Sequence, residues 1–420
     1  MKLFNVTAGA VIAATGLYNA AFATTTLSIW YHGAGNKVES KIINQIIDDF
    51  NASQSDWKVA LESFPQNSYN DSVTAAALAG KLPDILDMDG PIMPNWAWSG
   101  YLQPLPIPED HFKNFLPGTK GIYDGKLYSI GLWDAAVVLY ARKSTLKELG
   151  LRTPTLDKPW TKDEFDHALQ AAKSSAKFDY AIDLGMSDKS EWYTYAFLPF
   201  LQSFGGGLVD RKTYDTAEGA LNGDAAIAWG NWWQSLFKDK LAPGTSQDPA
   251  DHENGFIDGK YAFSWNGNWN AVKTMAKVDD VEFLPAPDFG QGPTIGAASW
   301  QFGISASSQH PDGAADFIKF ATQDKYLAEF SNAIGLIPAT ASAAQMTDNY
   351  KDGGALSVFF NLSKAQAKKR PVTPGYVVES KVFQKAAADI ADGAGVTDTL
   401  DASVDQIDAD IKRNDGYKKN

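Results

Sequence analysis

Residues 27–31 (LSIWY) run straight into 32–50 (HGAGNKVESKIINQIIDDF), and 58–64 (KVALESF), 68–78 (SYNDSVTAAAL) and 85–88 (ILDM) follow in order. The first, third and fifth of these pieces read as strands. In the second, Ile42, Ile43, Ile46, Ile47 and Phe50 recur at helical spacing. The fourth reads as a helix stopped by Gly80 and Pro83. A β-α-β-α-β order predicts a parallel sheet with helices on its faces. Ligands of such sheets sit beyond the carboxyl ends of the strands. Those ends carry His32 to Asn36, Pro65 to Tyr69, and Asp87 to Gly90.

Outward from this unit, Pro104 to Pro117 is proline-rich and Tyr123-Asp124-Gly125-Lys126 reads as a tight turn between short strands. Ala135 to Tyr140 reads as a strand leading into a second lobe. Helical patterns cover Lys162–Ser175, Glu191–Phe204 and Ala217–Lys238. Gly205-Gly206-Gly207 reads as a cap and turn. Trp300–Ser305 reads as a strand and Pro311–Thr322 as a helix. In the last helix Leu400, Val404, Ile407 and Ile411 line one face. Asp398, Asp401, Asp405 and Asp408 line another, read as solvated rather than metal-binding.

The chain has 420 residues, enough for two lobes, and its 44% hydrophobic content supports a buried core. A net charge of −13 argues against nucleic acid and anionic membrane as partners. Lys2, an apolar stretch from Val6 to about Tyr18 and Ala21-Phe22-Ala23 read as an export signal. Cleavage is expected after Ala23, leaving Thr24 first. Cysteine is absent, which excludes disulfides and the residue that bacterial lipoproteins acylate. A free periplasmic protein fits both facts.

Several further segments, in their order and spacing, carry a resemblance. They are Leu27 to His32, Gly80-Lys-Leu-Pro-Asp-Ile85, Gly125 to Gly131, Leu139 to Lys143 and Pro159 to Phe165. Phe256 to Trp269, Ala314 to Phe320 and Gly335-Leu-Ile-Pro-Ala339 complete the set. Together the chain resembles the family 1 extracellular solute-binding proteins of ABC importers, the group that includes maltose-binding protein. The resemblance implies an α/β, two-lobed periplasmic binding protein fold with a hinge and an interlobe ligand cleft. The cleft would close on its ligand, and the closed form would dock on the membrane permease. No catalytic residues and no cofactor are implied, and a monomer is expected. The expected layout is a signal over 1–23, a first lobe over 24–133 and 285–336, and a second over 134–284 and 337–420. The opening strand lacks the Asp and Lys that maltose-binding protein carries just after it, so maltose is not carried over.

A sugar presents flat apolar faces and a ring of hydroxyls, so its capture needs aromatic planes and a few fixed polar groups. The chain holds 13 tryptophans. Trp269, after Asn266-Gly-Asn268, matches the family's ligand-stacking segment. Trp300 opens a strand beyond a Gly-rich loop, a place for a cleft edge. Trp133 and Asp134 fall at the first expected hinge, where they either meet the ligand or pack the hinge. Trp229 and Trp233 share one helix face with Trp232 beside them. One is expected in the core, and Trp229 is taken as the one toward the ligand. Trp57 and Trp160 read as structural, and Trp96 and Trp98 as cleft wall or lobe surface. Asp87 and Asp89 fall on one side of a strand end, with Asp89 the favoured hydroxyl acceptor. His32, Asn36, Gln66 and Tyr69 lie at the neighbouring strand ends. Arg370 and Tyr376 lie in an Arg-Pro…Tyr segment that the family places near its cleft. Arg370 suits either a hydroxyl or anionic group on the sugar, or an ion pair between lobes.

The five histidines show no ligand spacing, and no P-loop, H-E-x-x-H, EF-hand or G-x-S-x-G pattern occurs. The predicted function is therefore capture of a disaccharide or glucoside for import, with no metal. Two other readings stay open. A secreted glycoside hydrolase would need an acid–base pair among Asp87, Asp89, Asp134 and Asp258. A binding protein could also serve a polyol or another non-sugar solute.

Overall fold

A computed structural model describes residues 24–188, 190–296 and 300–418. The expected export signal lies outside the described residues. The opening unit forms as its sequence predicts. Strand β1 (Thr25–Tyr31) lies between β2 (Trp57–Ser63) and β3 (Ile85–Asp89), parallel to both. Leu27, Ile29 and Tyr31 alternate inward from β1 and are fully buried. Helix α1 (Lys37–Ser53) covers this face with Ile42, Ile43, Ile46, Ile47 and Phe50. Each such side chain contributes roughly 1.5–3 kcal/mol on burial. Helix α2 (Gln66–Leu78) begins two residues before the expected start, because Pro65 holds the extended conformation that precedes a first turn.

The first sheet continues with β4 (Leu102–Gln103), β5 (Lys120–Tyr123) and β6 (Lys126–Gly131). The chain then crosses at β7 (Trp133–Asp134). Strands β8 (Val137–Arg142), β9 (Tyr180–Asp183), β10 (Tyr261–Gly267) and β11 (Val281–Leu284) build a second sheet in the order β11-β8-β10-β9. After β12 (Ile295–Gly296), strand β13 (Trp300–Ser305) returns to the first sheet, antiparallel to β3 and β6. The first sheet thus reads β2-β1-β3-β13-β6-β5. Antiparallel entry puts the first residue of β13 at the carboxyl end of β3, with Trp300 opposite Asp89.

Two further contacts knit the crossings. β14 (Ile337–Pro338) pairs with β7, and β15 (Ala367–Lys368) pairs with β12. The ribbon β7–β14 straddles both cores, since Trp133 and Leu336 pack in the first and Ile337 in the second. The return expected at Pro285 comes later, because Ala286, Phe289 and Ile295 all pack in the second core. Likewise Ala339 and Ala343 still belong to the first.

In the second lobe the helix Trp192–Phe204 is buried almost throughout and ends at Gly205, whose φ of +106° is left-handed. The helix expected over Ala217–Lys238 covers only Asp224–Lys238. Its first seven residues form turns instead, with Gly219 in a left-handed conformation and Gly223 next to the helix start. The acidic row of the last helix, Val396–Arg413, holds those turns in place. Asp408 accepts from Thr216 Oγ1 (2.7 Å) and the Ala217 amide (2.6 Å), and Asp401 from Asn222 Nδ2 (2.9 Å). Asp398, Asp401 and Asp405 are exposed, as the solvated reading expects, and Asp408 is half-buried. Among the described residues no helix is long and apolar enough to cross a membrane.

Candidate functional site

The carboxyl ends of β1 and β3 and the start of β13 meet the second lobe across a cleft of about 610 Å³. That volume suits a small ligand. From the first lobe, His32 follows β1. Its ring stacks on Trp300 with centroids 3.6 Å apart and planes 9° from parallel. Asp87, itself 1% exposed, accepts from His32 Nδ1 and from the His32 amide (3.3 Å), which fixes the ring. Burial works against the imidazolium, but Asp87 and Glu39 outweigh it and raise the His32 pKa. Asn36 caps α1 by accepting from the Glu39 amide (3.1 Å), and its Nδ2 donates to Glu39 Oε2 (2.8 Å). Tyr31 Oη donates to the other oxygen of Glu39 (2.5 Å). Gln66, at the start of α2, lines the same wall.

Trp269 comes from the other lobe, just past β10. Its indole is 42% exposed and packs edge-on to Trp192 and tilted to Tyr195, both at 6.1 Å between centroids. Gly267 makes this possible, because a Cβ there would lie 2.1 Å from the Trp269 ring. Tyr195 lines the cleft, and its buried hydroxyl has no hydrogen-bond partner among the described residues.

Between the lobes sits Arg370, with its side chain 5% exposed. Nη1 donates to Glu191 Oε1 (2.6 Å) and Nη2 to Asp89 Oδ1 (3.4 Å), while the guanidinium lies 5.1 Å over the Tyr195 ring. Glu191 also accepts from Tyr376 Oη and from Ser380 Oγ (2.7 Å). The surrounding cleft wall pushes the Glu191 carboxyl up to about 7. Arg370 opposes this rise and Asp89 adds to it. Burial lowers the Arg370 pKa on its own, but the two carboxylates reverse the sign and raise it.

Eight of the residues singled out from sequence therefore line one cleft: His32, Asn36, Gln66, Asp89, Trp133, Trp269, Trp300 and Arg370. The other six stand behind it or away from it. Asp87 holds His32. Tyr69 is fully buried and donates from its hydroxyl to the Trp30 carbonyl (3.2 Å). Tyr376 holds Glu191. Asp134 lies at the crossing, where burial raises its carboxyl to about 6 although Ser363 Oγ donates to it (2.7 Å). Asn268 ties the crossings together, accepting from the Ala136 amide and donating to the Gly335 carbonyl, both at 2.9 Å. Trp229 does not reach the cleft. It is fully buried, stacked between Trp233 and Phe383, because its side of the helix is covered by the helix that carries Phe383, while Ala228 and Asn231 take the exposed side. Glu39, Asp188, Ser190, Glu191, Trp192 and Tyr195 line the cleft without having been expected there. The last three open a helix whose apolar run reads as pure core. A cue was present in the polar stretch Asp188 to Glu191 ahead of it.

Among the described residues, no group of three or more His, Asp or Glu side chains is placed to hold a metal ion. The arrangement offers aromatic planes and hydrogen-bonding groups from two lobes. A family model described as bacterial extracellular solute-binding protein matches residues 45–358. The chain belongs to that family. This extracellular solute-binding protein is 22% identical over 299 residues to the maltodextrin-binding protein MdxE of Bacillus subtilis, a match that spans 69% of this chain and 67% of that one. It is 25% identical over 352 residues to the sn-glycerol-3-phosphate-binding periplasmic protein UgpB of Yersinia enterocolitica, spanning 78% and 77%. Its fold is that of the sugar-binding protein MalE from Xanthomonas citri, with a TM-score of 0.77, 19% identity, and 93% and 98% of the two chains covered. The GacH receptor of Streptomyces glaucescens superposes with a TM-score of 0.76 at 21% identity, over 94% and 100% of the chains.

Proposed function

We propose that this protein captures a neutral disaccharide or glucoside in its interlobe cleft and delivers it to the membrane permease of an ABC importer. The observation that carries the reading is the pair of aromatic platforms from opposite lobes. Trp300 is backed by His32, and Trp269 is backed by Trp192 and Tyr195. Such planes bind the apolar faces of sugar rings. Asp89, Glu191 and the unpartnered Tyr195 hydroxyl supply acceptors and a donor for the ring hydroxyls. Binding to both lobes at once favours the closed form, since a ligand shifts an equilibrium only by its differential affinity. The protein works as a monomer in the periplasm, released by cleavage after Ala23 without a lipid anchor. It binds its ligand without turning it over.

Thermal melting against neutral sugars, glucosides, polyols and amino acids tests this. A ligand at about 100 times its Kd stabilises the protein by roughly 2.7 kcal/mol. That raises Tm by roughly 2–4 °C per kcal/mol at this size. The expected result is a shift with one glycoside and no product in the same sample. A shift confined to amino acids or polyols, or hydrolysis of the glycoside, would overturn the reading.

A further inference from the structure

The cleft is lined by four carboxylates, on Glu39, Asp89, Asp188 and Glu191. Among the described residues that line it, Arg370 is the one permanent cation. A lone buried arginine in a ligand cleft is the usual grip for a phosphate or carboxylate. Here that grip is taken. One terminal nitrogen is bonded to Glu191 at 2.6 Å and the other faces Asp89 at 3.4 Å. The flat face lies on the Tyr195 ring, and Tyr376 and Ser380 hold Glu191 from behind. Nε is buried with no partner among the described residues, so the guanidinium cannot turn a free edge to the ligand without breaking both ion pairs. An anion entering the cleft would have to displace the anchored Glu191 and the facing Asp89 and meet two more carboxylates.

We infer that Asp89 and Glu191 set ligand charge, because by occupying Arg370 from both lobes they make the cleft admit neutral polyhydroxyl ligands and reject anionic ones such as phosphate esters. This rests on the cleft being the binding site, as proposed above, and adds the discrimination. Glu191 is the specificity-determining residue of the second lobe and Asp89 that of the first.

The test uses inorganic phosphate and sn-glycerol 3-phosphate as probes, at pH 8 and constant ionic strength, with Tm and calorimetric affinity as readouts. The wild-type protein is expected to respond to neither beyond a chloride control. Asp89→Asn with Glu191→Gln frees the guanidinium and should bind both probes about tenfold or more tighter than wild type, the scale of a hydrogen bond to a charged group. Adding Arg370→Gln should abolish that gain. Tight phosphate-ester binding by the wild type overturns the inference, as does a folded double variant that gains nothing. Should the double variant fail to fold by circular dichroism, Glu191→Gln alone carries the test, and an unchanged phosphate response in it overturns the inference equally. No sugar enters this experiment, so its failure is separate from failure of the carbohydrate reading.

Discussion

Two tryptophans separate binding from folding. Trp269 is 42% exposed at the cleft, whereas Trp229 is fully buried between aromatic rings. Trp269→Ala should leave Tm almost unchanged and weaken glycoside binding at least about tenfold, as loss of an aromatic anchor does. Trp229→Ala should cost roughly 3–5 kcal/mol of stability and leave the affinity of the folded fraction intact. Melting curves and calorimetry on the two variants check both. From sequence alone Trp269 is marked by its match to the ligand-stacking segment, whereas spacing leaves open which of Trp229 and Trp233 is core. Exposure depends on which helix packs against Trp229, and that partner, Phe383, lies far along the chain. A second residue-scale outcome concerns Glu379, which is 1% exposed with neither carboxylate oxygen hydrogen-bonded among the described residues. Burial raises its carboxyl to about 8, opposed by Arg211 and reinforced by Asp410. The folded state then keeps a proton that the unfolded chain loses above its ordinary value near 4.5. Stability therefore falls as pH rises from there to about 8, by up to roughly 1.4 kcal/mol per pH unit. Glu379→Gln should remove this slope and melt progressively higher than the wild type as pH rises through that window.

The elements around the first sheet were legible because local chemistry decides them. Alternation set the inward face of β1, and the isoleucine spacing set the buried face of α1. Their ends then placed His32, Asn36 and Asp89 at the cleft, since a parallel sheet gathers its strand ends on one edge. The wall from the second lobe was harder to read. The segment ahead of the helix that carries Glu191 and Tyr195 starts from a buried carboxylate whose partners lie far along the chain. Asp183, fully buried, accepts from the Gly185 amide (2.9 Å), Gln247 Nε2 (2.7 Å), His252 Nδ1 (2.9 Å) and Ser264 Oγ (3.1 Å). No spacing rule links these positions. Asp183→Ala strands several buried donors, so it should cost about 3 kcal/mol or more. Because it frees the segment that carries Asp188 and Trp192, it should also weaken the ligand, read by melting and titration on the same sample. At the opposite wall, Asn36→Ala removes the α1 cap and should cost about 1 kcal/mol in a melting experiment, and Asn36→Asp should not restore it, because its second oxygen would face Glu39 Oε2 where Asn36 Nδ2 now donates (2.8 Å).

At the scale of the whole molecule, the first lobe packs two hydrophobic clusters about its sheet and the second lobe one, with chain crossings between the lobes. The ribbon β7–β14, Asn268 at the crossings and Arg370 between Asp89 and Glu191 are among the polar ties that span them, with Asn95 Nδ2 donating to the Pro374 carbonyl (2.9 Å) and Lys369 Nζ to the Lys120 carbonyl (2.8 Å). The two-lobed fold class was legible from the order and spacing of the family segments, but the crossing near 296 was not. The return was expected from residue 285, but Ala286 is fully buried in the second core. The measurement that bears most directly on the central claim is a calorimetric titration of neutral glycosides into the wild-type protein, with small-angle scattering of the same samples. The account predicts saturable 1:1 binding of one glycoside, a smaller radius of gyration in the bound state, and loss of both in Trp269→Ala. Binding of a phosphate ester or amino acid in preference to every neutral glycoside would contradict it.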